Sequence, residues 1–594
     1  MPQEPDFSKG ISPVLLHDLP ARAAAIWPGR TALTVGAAHL SYADLQAQIR
    51  ACAAGMLALG LAPGARVAVY LEKRVEAVVA SFAAPAAGAV LVPVNPLLKA
   101  AQVAHILQDA EAQVLVTSAA RLAALAPVLA DCPGLRHVLL CDEGARGVQG
   151  APEAQAALPA GLARHAWAGL PAGVPGELPR VLDGDVAVIF YTSGSTGRPK
   201  GVVLSHRNLV AGAVSVASYL GNSSDDSLLA VLPLSFDAGF SQLTTAFLVG
   251  ARVVLLNYLL PRDVLQAMAR ERITCLTAVP PVYMQLAALD WPTGAAEHLR
   301  YWANTGGRMP RATLQRMREL APAASPYLMY GLTEAFRSTY LPPEEVDRRP
   351  DSIGKAIPNA DVRVLREDGT ECAVDEPGEL VHRGPLVALG YWRRPEETAR
   401  RFKPWPARLQ AADYGRAAPE YAVYSGDTVR RDADGYLYFV GRRDEMIKTS
   451  GYRVSPTEVE EVLYASGLVA EALVYARPDD ALGSAICAAL WASPAGADAA
   501  TRDAALLAHC RQHLPAFMLP RQLQWVDSPL PRNPNGKLDR QRWMQETQVA
   551  IPVEEETAVI PAKAGIHGSD ESTAGVVLAS PPRIEVRGDV LSRG

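Results

Sequence analysis

Segments with a helical pattern and segments with a strand pattern alternate along the first 440 residues of the chain. Residues 41–59 are helix-like, whereas residues 66–71, 114–117 and 138–141 are short apolar runs typical of buried strands. Alternation of this kind favours parallel strands, because each intervening helix returns the chain to the start of the next strand. The pattern therefore predicts an α/β fold, with a large N-terminal domain of parallel sheets flanked by helices.

The longest charge-free apolar run, residues 77–98, is interrupted by three prolines. A membrane-spanning helix needs about 20 strongly apolar residues, so this Ala-rich run instead predicts a buried helix followed by a strand. The N-terminus has no basic segment that leads into an apolar one, and we expect no signal peptide and a cytoplasmic location. The seven cysteines contain no C-x-x-C pair, which indicates reduced core cysteines.

Changes in composition predict where the domains meet. Residues 143–183 are rich in Ala, Gly and Pro and are predicted to form an insertion or linker. A second boundary is predicted near Gly441, and residues 544–594 contain no aromatic residue and cannot bury enough surface to fold alone. We therefore predict an N-terminal domain at 1–440, a C-terminal domain at 441–547 and a disordered tail at 548–594. The net charge of −5 gives no reason to expect nucleic acid as a partner.

The predicted C-terminal domain contains a well-signalled helix start. Ser455 is placed as the N-cap, Pro456 as the first helical residue, and Glu458 as the partner that completes a capping box.

The strongest local signal is YTSGSTGRPKGVVLSH, residues 191–206. An apolar strand leads into a loop with three glycines and four hydroxyl residues. Glycine backbones can approach phosphate closely, and hydroxyl and N–H groups can satisfy its oxygens. The P-loop of NTPases is disfavoured, because its lysine directly follows the last glycine, whereas Lys200 lies three residues after Gly197. The phosphate-binding candidates are Thr192, Ser193, Gly194, Ser195, Thr196, Gly197 and Lys200.

This stretch resembles the signature of the AMP-forming adenylating superfamily, which includes acyl-CoA synthetases, amino-acid adenylation domains and luciferases. Further blocks follow in the order that this family requires, from about residue 12 to about residue 545. The resemblance implies a small, mobile α+β C-terminal domain behind the large one. It also implies that ATP, Mg²⁺ and a small carboxylic acid give an acyl-adenylate, and that the acyl group then passes to the thiol of CoA or of a carrier-protein phosphopantetheine.

The second block, YGLTE, runs from Tyr330 to Glu334. A carboxylate is needed to hold Mg²⁺ against the triphosphate, since the metal offsets charge that builds on the leaving pyrophosphate. The resemblance gives this role to Glu334, places Thr333 at the α-phosphate and stacks Tyr330 on adenine. In the third block, YSGD, the resemblance implies that the carboxylate of Asp427 accepts hydrogen bonds from both ribose hydroxyls.

The fourth block, residues 441–460, resembles the linker of the family and the opening of its small domain. Arg442 matches an arginine that contacts the nucleotide, and Asp444 matches the hinge, whose backbone dihedrals change when the small domain rotates. The residues that would face the active site only in the thioester-forming orientation are Lys448, Gly451 and Arg453.

The last block, NPNGKLDR, carries Lys537. Gly536 permits a tight turn that presents this lysine, and the resemblance places it at the substrate carboxylate and the α-phosphate. Charge develops on both groups during displacement, so a positioned cation lowers the barrier.

The segment LPLSFDAGFSQL, residues 232–243, departs from many acyl-CoA ligases, which have Phe-His at this point, and resembles amino-acid adenylation domains. A buried carboxylate is costly unless it is paired, so Asp237 suggests a cationic or amino substrate. The alternative is that Asp237 only caps a helix that begins near Ala238. The pocket candidates, which suggest a cavity of small to medium size, are Phe236, Asp237, Ala278, Asn304, Gly306 and Met329.

Three functions remain open from the sequence. The main hypothesis is an acid–thiol ligase that uses CoA. The first alternative is adenylation followed by loading of a carrier protein. Details of the sequence also resemble the exosortase A-associated ligase branch, a resemblance that favours this alternative. The third, a catalytically silent nucleotide-binding protein, is disfavoured because the full set of Lys200, Glu334, Asp427, Arg442 and Lys537 is present.

Overall fold

The computed structural model describes residues 12–142, 158–170, 178–192, 199–406, 409, 420–442, 445–449, 452–479, 483–493, 499–533 and 536–549. The helices of these residues are α1 (Asp18–Ile26), α2 (Tyr42–Ala58), α3 (Val75–Ala86), α4 (Ala100–Asp109), α5 (Ala119–Leu129), α6 (His206–Leu220), α7 (Asp237–Val249), α8 (Pro261–Arg270), α9 (Pro280–Ala287), α10 (Arg311–Leu320), α11 (Pro395–Arg401), α12 (Pro456–Ala465), α13 (Ala499–His513) and α14 (Arg540–Val549).

The strands of the described residues are β1 (Thr31–Val35), β2 (Ala38–Ser41), β3 (Arg66–Val69), β4 (Val90–Pro93), β5 (Ala112–Thr117), β6 (His137–Leu140), β7 (Ala163–Ala166), β8 (Val186–Thr192), β9 (Lys200–Ser205), β10 (Ser227–Ala230), β11 (Arg252–Leu255), β12 (Cys275–Ala278), β13 (Tyr301–Asn304), β14 (Ser325–Tyr330), β15 (Thr339–Leu341), β16 (Ser352–Ala356), β17 (Asp361–Leu365), β18 (Gly378–Arg383), β19 (Gly390–Tyr391), β20 (Phe402–Pro404), β21 (Tyr421–Arg431), β22 (Leu437–Arg442), β23 (Ile447–Thr449), β24 (Tyr452–Val454), β25 (Val469–Asp479), β26 (Gly483–Ala492) and β27 (Gln522–Val526).

Two large sheets form the N-terminal part of the molecule. One has the order β19-β9-β8-β4-β3-β5-β6-β7 and is parallel from β8 to β7. The other has the order β17-β18-β21-β22-β16-β15-β14-β13-β12-β10-β11-β1-β2 and is parallel from β14 to β1. The predicted α/β class is therefore confirmed, and antiparallel strands extend both parallel cores.

Two helices buried on all sides separate these sheets. Every residue of α7 is buried, and so is α3 from Ala77 onward. The rings of Phe82 and Phe240 stack with their centroids 5.8 Å apart, and Phe247 lies against Phe82 at 5.3 Å. The prediction of a buried helix and a following strand for residues 77–98 is confirmed by α3 and β4. None of the described helices is long and apolar enough to cross a membrane.

The prediction of an insertion or linker at 143–183 misses one strand in the described part of this segment. Residues 163–166 form β7, which pairs in parallel with β6 at the edge of the first sheet. All four residues of β7 are only half-buried, so pairing with β6 rather than hydrophobic burial makes this segment a strand. Residues 143–157 and 171–177 lie outside the described residues.

The small C-terminal sheet consists of β25, β26 and β27, and the hairpin β23–β24 precedes it. Val459 of α12 and Leu506 of α13 belong to the apolar cluster beneath this sheet. The helix α12 begins at Pro456 with Ser455 as its N-cap residue, as predicted, but Ser455 makes no side-chain capping bond. The predicted capping box is therefore wrong. The Ser455 hydroxyl is buried, has no hydrogen-bond partner among the described residues, and lies where a side chain at Gly441 would meet it.

The described residues up to Gln545 belong to one compact unit, and those from Glu546 to Val549 belong to a second. The domain boundaries at 440 and 547 stay predictions. Almost all of the predicted tail, from residue 550 on, lies outside the described residues.

Candidate active site

The hairpin β8–β9 holds the two ends of the predicted phosphate loop. Thr192 and Lys200 are cross-strand partners, and Ser193, Gly194, Ser195, Thr196 and Gly197 lie outside the described residues. The Lys200 ammonium is 3.4 Å from the Glu397 carboxylate and 3.8 Å from the ring centroid of Tyr391. Lys200 therefore stands at the base of the loop as a half-buried cation that an aromatic ring and a carboxylate orient.

Glu334 and Thr333 lie in the short 3₁₀ helix Thr333–Ala335, three residues beyond the end of β14, and both are buried. The Tyr391 hydroxyl donates to Glu334 Oε1 at 2.6 Å. Because Lys200 lies over the same ring, Tyr391 connects the phosphate-loop lysine with the predicted metal carboxylate. Sequence reasoning missed Tyr391, since 57 residues separate it from Glu334 and no local pattern marks it.

Tyr330, Asp427 and Arg442 meet at the predicted ribose position. Asp427 and Arg442 are cross-strand partners in β21 and β22, with 3.6 Å between Arg442 Nη1 and Asp427 Oδ1. The Tyr330 hydroxyl donates to Asp427 Oδ2. Burial raises the pKa of Asp427, and Arg442 opposes this shift. Asp427 Oδ1 is buried and has no hydrogen-bond partner among the described residues, as an acceptor for a ligand hydroxyl would be.

A turn closed by Asn533 presents Lys537. The backbone of Gly536 has φ +80°, where a side chain would be strained, and its N–H donates to the Asn533 carbonyl at 2.9 Å. Although Lys537 as a whole is exposed, its Cε lies 3.8 Å from the point where a Cβ at Gly306 would sit. Loss of water around the ammonium lowers the pKa of Lys537, and the carboxylates of Asp237 and Asp427 oppose the shift. The side chain of Lys537 thus reaches Gly306, where the negative charges of both carboxylates favour its ammonium form.

Ion pairs hold the C-terminal sheet in this position. Glu461 of α12 pairs with Arg308, which also contacts Asp351 at 2.7 Å. Arg540, three residues after Lys537, pairs with Glu445 and Glu460. The Arg308–Glu461 pair joins α12 to the large domain, whereas the Arg540 pairs hold the residues after Lys537 within the C-terminal part of the chain.

Apolar side chains and a glycine form the wall beside Lys537. A Cβ at Gly306 would lie 3.2 Å from Val279 and 3.6 Å from the Phe236 ring, so a larger residue there would fill the space between them. Ala278 and Asn304 are cross-strand neighbours at the ends of β12 and β13, and both are buried.

Two polar contacts involve the predicted pocket residues Asn304 and Met329. The Asn304 amide donates to the Gly307 carbonyl at 2.9 Å, and Asn304 Oδ1 is buried and accepts no hydrogen bond from any described residue. The Tyr219 hydroxyl lies 2.9 Å from the sulfur of Met329. The structure thus brings the predicted pocket residues Phe236, Ala278, Asn304 and Gly306 to neighbouring positions, with Met329 at the end of β14.

Asp237 does not cap α7 in the predicted way. The helix begins at Asp237 itself, its N-cap residue is Phe236, and Asp237 Oδ1 accepts only from the adjacent N–H of Ala238 at 2.7 Å. The second oxygen lies 3.6 Å from Arg337 Nη1. Capping by Asp237 is therefore wrong, and its carboxylate has a cationic partner within the chain.

Lys448 and Arg453 are cross-strand partners in the hairpin β23–β24. Asp444 and Gly451 lie outside the described residues. The roles of these four residues stay predictions.

The arrangement fits a nucleotide with Mg²⁺ better than a metal held by protein alone. Among the side chains that the structure describes, no group of three or more His, Cys, Asp or Glu residues could hold a metal ion. Mg²⁺ needs only one or two carboxylates when phosphate and water supply its other ligands. Glu334, oriented by Tyr391, suits that task, and Asp427 Oδ1, which has an ion-pair partner but accepts no hydrogen bond among the described residues, suits a ribose hydroxyl.

Comparison with known proteins agrees with this geometry. The model of the AMP-binding enzyme family matches residues 20–392, and that of the AMP-binding enzyme C-terminal domain matches residues 458–537. An L-proline–[L-prolyl-carrier protein] ligase of Pseudomonas fluorescens is 32% identical over 89% of this chain and 98% of its own length. A feruloyl-CoA synthase of an Amycolatopsis species is 32% identical over 88% of this chain and 97% of its own length.

Solved structures show the same likeness. The ATP-bound MatB of Rhodopseudomonas palustris superposes with a TM-score of 0.75 at 26% identity, covering 90% of this chain and 99% of the other. The anthranilate CoA ligase AuaEII in complex with anthranoyl-AMP gives a TM-score of 0.76 at 24% identity, over 91% of this chain and 98% of the other, which is a likeness of fold. The chain belongs to the family of AMP-binding enzymes and is an adenylate-forming ligase.

Proposed function

We propose that this ligase activates a small carboxylic acid with Mg-ATP and transfers the acyl group to the thiol of CoA. In the first step a carboxylate oxygen attacks the α-phosphorus and pyrophosphate leaves. In the second step the thiol sulfur attacks the acyl carbon, the thiol loses its proton and AMP leaves. The observation that carries the proposal is the position of Lys537, whose side chain reaches the wall at Gly306 within electrostatic range of Asp237 and Asp427.

Six described residues of the candidate site have proposed roles in the first step. Asp427 and Arg442 bind the ribose, and Tyr330 orients Asp427 through its hydroxyl. Lys537 neutralises charge on the attacking carboxylate and on the α-phosphate. Glu334 would hold Mg²⁺, which supplies charge neutralisation at the departing pyrophosphate. Thr333, buried beside Glu334, is proposed to contact the α-phosphate.

The second step is proposed to follow a rotation of the C-terminal domain about Asp444. Lys448, Gly451 and Arg453 would then face the thiol in place of Lys537. Ion pairs such as Arg308–Glu461 would have to break during that rotation.

Loading of a carrier protein is the second candidate for the thiol step. It is supported by the likeness to an L-prolyl-carrier protein ligase over 98% of that enzyme. The narrower resemblance to the exosortase A-associated branch stays a prediction.

A single assay series tests the proposal. ATP–pyrophosphate exchange is measured with a panel of fatty, aryl and amino acids, and the acid with the highest activity is then offered CoA or a phosphopantetheinylated carrier protein. We expect exchange with at least one acid and a thioester with CoA. Exchange without CoA thioester, but with acylated carrier, would favour the second candidate. Absence of exchange with every acid, together with absence of ATP binding, would contradict the adenylation chemistry.

Tyr391→Phe tests the contact between Tyr391 and Glu334. The variant keeps the ring beneath Lys200 but loses the hydroxyl that donates to Glu334. Loss of a hydrogen bond that orients a metal ligand typically costs 10–100-fold in metal affinity or activity. We therefore expect the Mg²⁺ concentration for half-maximal pyrophosphate exchange to rise about tenfold. Tyr438→Phe, which removes a hydroxyl bonded to Asp432 away from the site, is the matched control; equal Mg²⁺ dependence of both variants would refute the role.

A further inference from the structure

A buried ion pair lies beside the proposed reaction centre. Arg337 and Asp237 have side chains only 3% and 5% exposed, and 3.6 Å separate Arg337 Nη1 from Asp237 Oδ2. This distance is an ion pair without a direct hydrogen bond. The same Nη1 donates to the Phe336 carbonyl at 2.6 Å, and Arg337 Nε is buried with no hydrogen-bond partner in the part of the chain that the structure describes. No sequence motif announced Arg337, which lies 100 residues beyond Asp237.

The backbone before Arg337 directs its guanidinium to this place. Phe336 has φ +58°, a left-handed conformation that costs a residue with a side chain of order 1–3 kcal/mol. Its ring packs where a Cβ at Gly212 would lie only 2.4 Å away, so a glycine in α6 leaves room for it. The guanidinium carbon of Arg337 lies 5.5 Å from the centroid of the same ring. Packing of Phe336 thus fixes the direction in which the chain enters Arg337.

The pair lies next to residues that the sequence predicts to line the substrate pocket. Asp237 is the first residue of α7 and directly follows Phe236, whose ring lies beside Gly306. Lys537 and Glu334 lie within electrostatic range of Asp237. On the other side, Arg337 is within electrostatic range of Tyr219, which contacts the pocket residue Met329.

The charges of Asp237, Arg337 and Lys537 determine whether a substrate with an ammonium group can bind. A buried carboxylate needs one cation nearby, and Arg337 already supplies it. A substrate ammonium placed against Asp237 would bring a second cation next to the guanidinium, with the Lys537 ammonium also close. Like charges held together in a dry site repel strongly. An acid without an amine avoids this repulsion and leaves the pair intact.

We propose that Arg337 fills, from within the protein, the place opposite Asp237 that a substrate ammonium would otherwise take, and thereby selects carboxylic acids without a cationic amine. Arg337 is then a specificity-determining residue. The substrate class is a carboxylic acid that has no cationic amine and carries an apolar group of small to medium size. This inference rests on the proposed adenylation function and deepens it.

The test compares two unreactive analogues of the acyl-adenylate. They are 5′-O-(N-propionylsulfamoyl)adenosine and 5′-O-(N-alanylsulfamoyl)adenosine, which differ only in the amine and are small enough for a modest pocket. Their dissociation constants are measured by calorimetry with the full chain, with AMP as a reference ligand. We expect the wild type to bind the propionyl analogue at least about tenfold more tightly than the alanyl analogue. The reason is that the guanidinium of Arg337 repels the ammonium group of the alanyl analogue, and a nearby like charge changes such equilibria by about tenfold or more.

Two variants locate the discrimination. In Arg337→Met, Asp237 loses its internal partner, so the preference for the propionyl analogue should fall at least about tenfold. The double variant Arg337→Met/Asp237→Asn lacks both charges. It should therefore not show the tighter binding of the alanyl analogue that is expected for Arg337→Met. Removing one partner of a buried pair is destabilising, so the fold of both variants is verified by circular dichroism.

The outcomes are distinct. A wild type that binds the alanyl analogue as tightly as the propionyl analogue overturns the inference, whether or not the variants fold. A folded Arg337→Met variant with the wild-type preference also overturns it. Failure of both analogues and of AMP to bind would remove the proposed adenylation function and this inference with it.

Discussion

Replacement of Lys537 by alanine is expected to lower the rate of acyl-adenylate formation by about 10²–10³. The Cε of this lysine lies 3.8 Å from the point where a Cβ at Gly306 would sit, and the negative charges of Asp237 and Asp427 oppose the lowering of its pKa by burial. From there it can neutralise charge that develops on the attacking carboxylate and the α-phosphate. Charge stabilisation of this kind acts only while the adenylate forms. The thioester step, started from supplied acyl-AMP, should therefore keep its rate.

Both half-reactions are measured separately for the Lys537→Ala variant. Pyrophosphate exchange reports the first, and release of AMP from synthetic acyl-AMP and thiol reports the second. Lys355→Ala, which removes an exposed lysine that contacts Tyr436 instead, serves as the control and should leave both rates unchanged. Equal losses in the two half-reactions would show that Lys537 has a structural or general binding role.

Glu334→Gln is expected to reduce pyrophosphate exchange by about 10²–10³ at a fixed, low Mg²⁺ concentration, since a metal contributes several kcal/mol to such a displacement. Glutamine keeps the shape of the side chain and can still accept the hydrogen bond from Tyr391. The variant therefore removes the charge of the proposed metal ligand while the surrounding contacts remain. Excess Mg²⁺ should restore part of the lost rate, because phosphate and water still supply most of the ligands.

A Mg²⁺ titration of pyrophosphate exchange measures this effect. Glu297→Gln neutralises an exposed carboxylate and is the matched control. Transfer from supplied acyl-AMP to the thiol should be unaffected in Glu334→Gln, because no pyrophosphate leaves in that step. A variant with the wild-type Mg²⁺ dependence would contradict the assignment of Glu334 as the metal ligand.

The response of each variant to added Mg²⁺ distinguishes the proposed role of Lys537 from that of Glu334. Lys537→Ala should respond little to added Mg²⁺, since its charge acts at the α-phosphate. Glu334→Gln should respond strongly, and Tyr391→Phe should show a weaker version of the same response. A catalytically silent nucleotide-binding protein would show none of these changes in exchange, because it would have no exchange activity to lose.

Local patterns in the sequence were sufficient for the α/β class and for the order of the motif blocks. Apolar runs of strand length and periodic helical segments report burial directly, and for that reason α3, β4 and β8 occur where the sequence placed them. The turn at Gly536 is likewise a local property, since only backbone freedom at one residue is needed. Edge strands are different. The half-buried β7 is a strand because β6 offers free hydrogen-bonding groups, and its own residues carry no signal of that.

The decisive contacts of the site depend on the tertiary structure. Ser455 is the N-cap residue of α12 as predicted, but its hydroxyl makes no capping bond and packs at Gly441, where the strand β22 passes. Asp237 looked like a carboxylate in need of a substrate cation, but folding brings Arg337 to it from 100 residues away. The sequence by itself determined which chemical groups the chain carries and in which order. The packing of α7 against the strand ends decided which of those groups meet, because charge pairs form between residues that are near in space and distant along the chain.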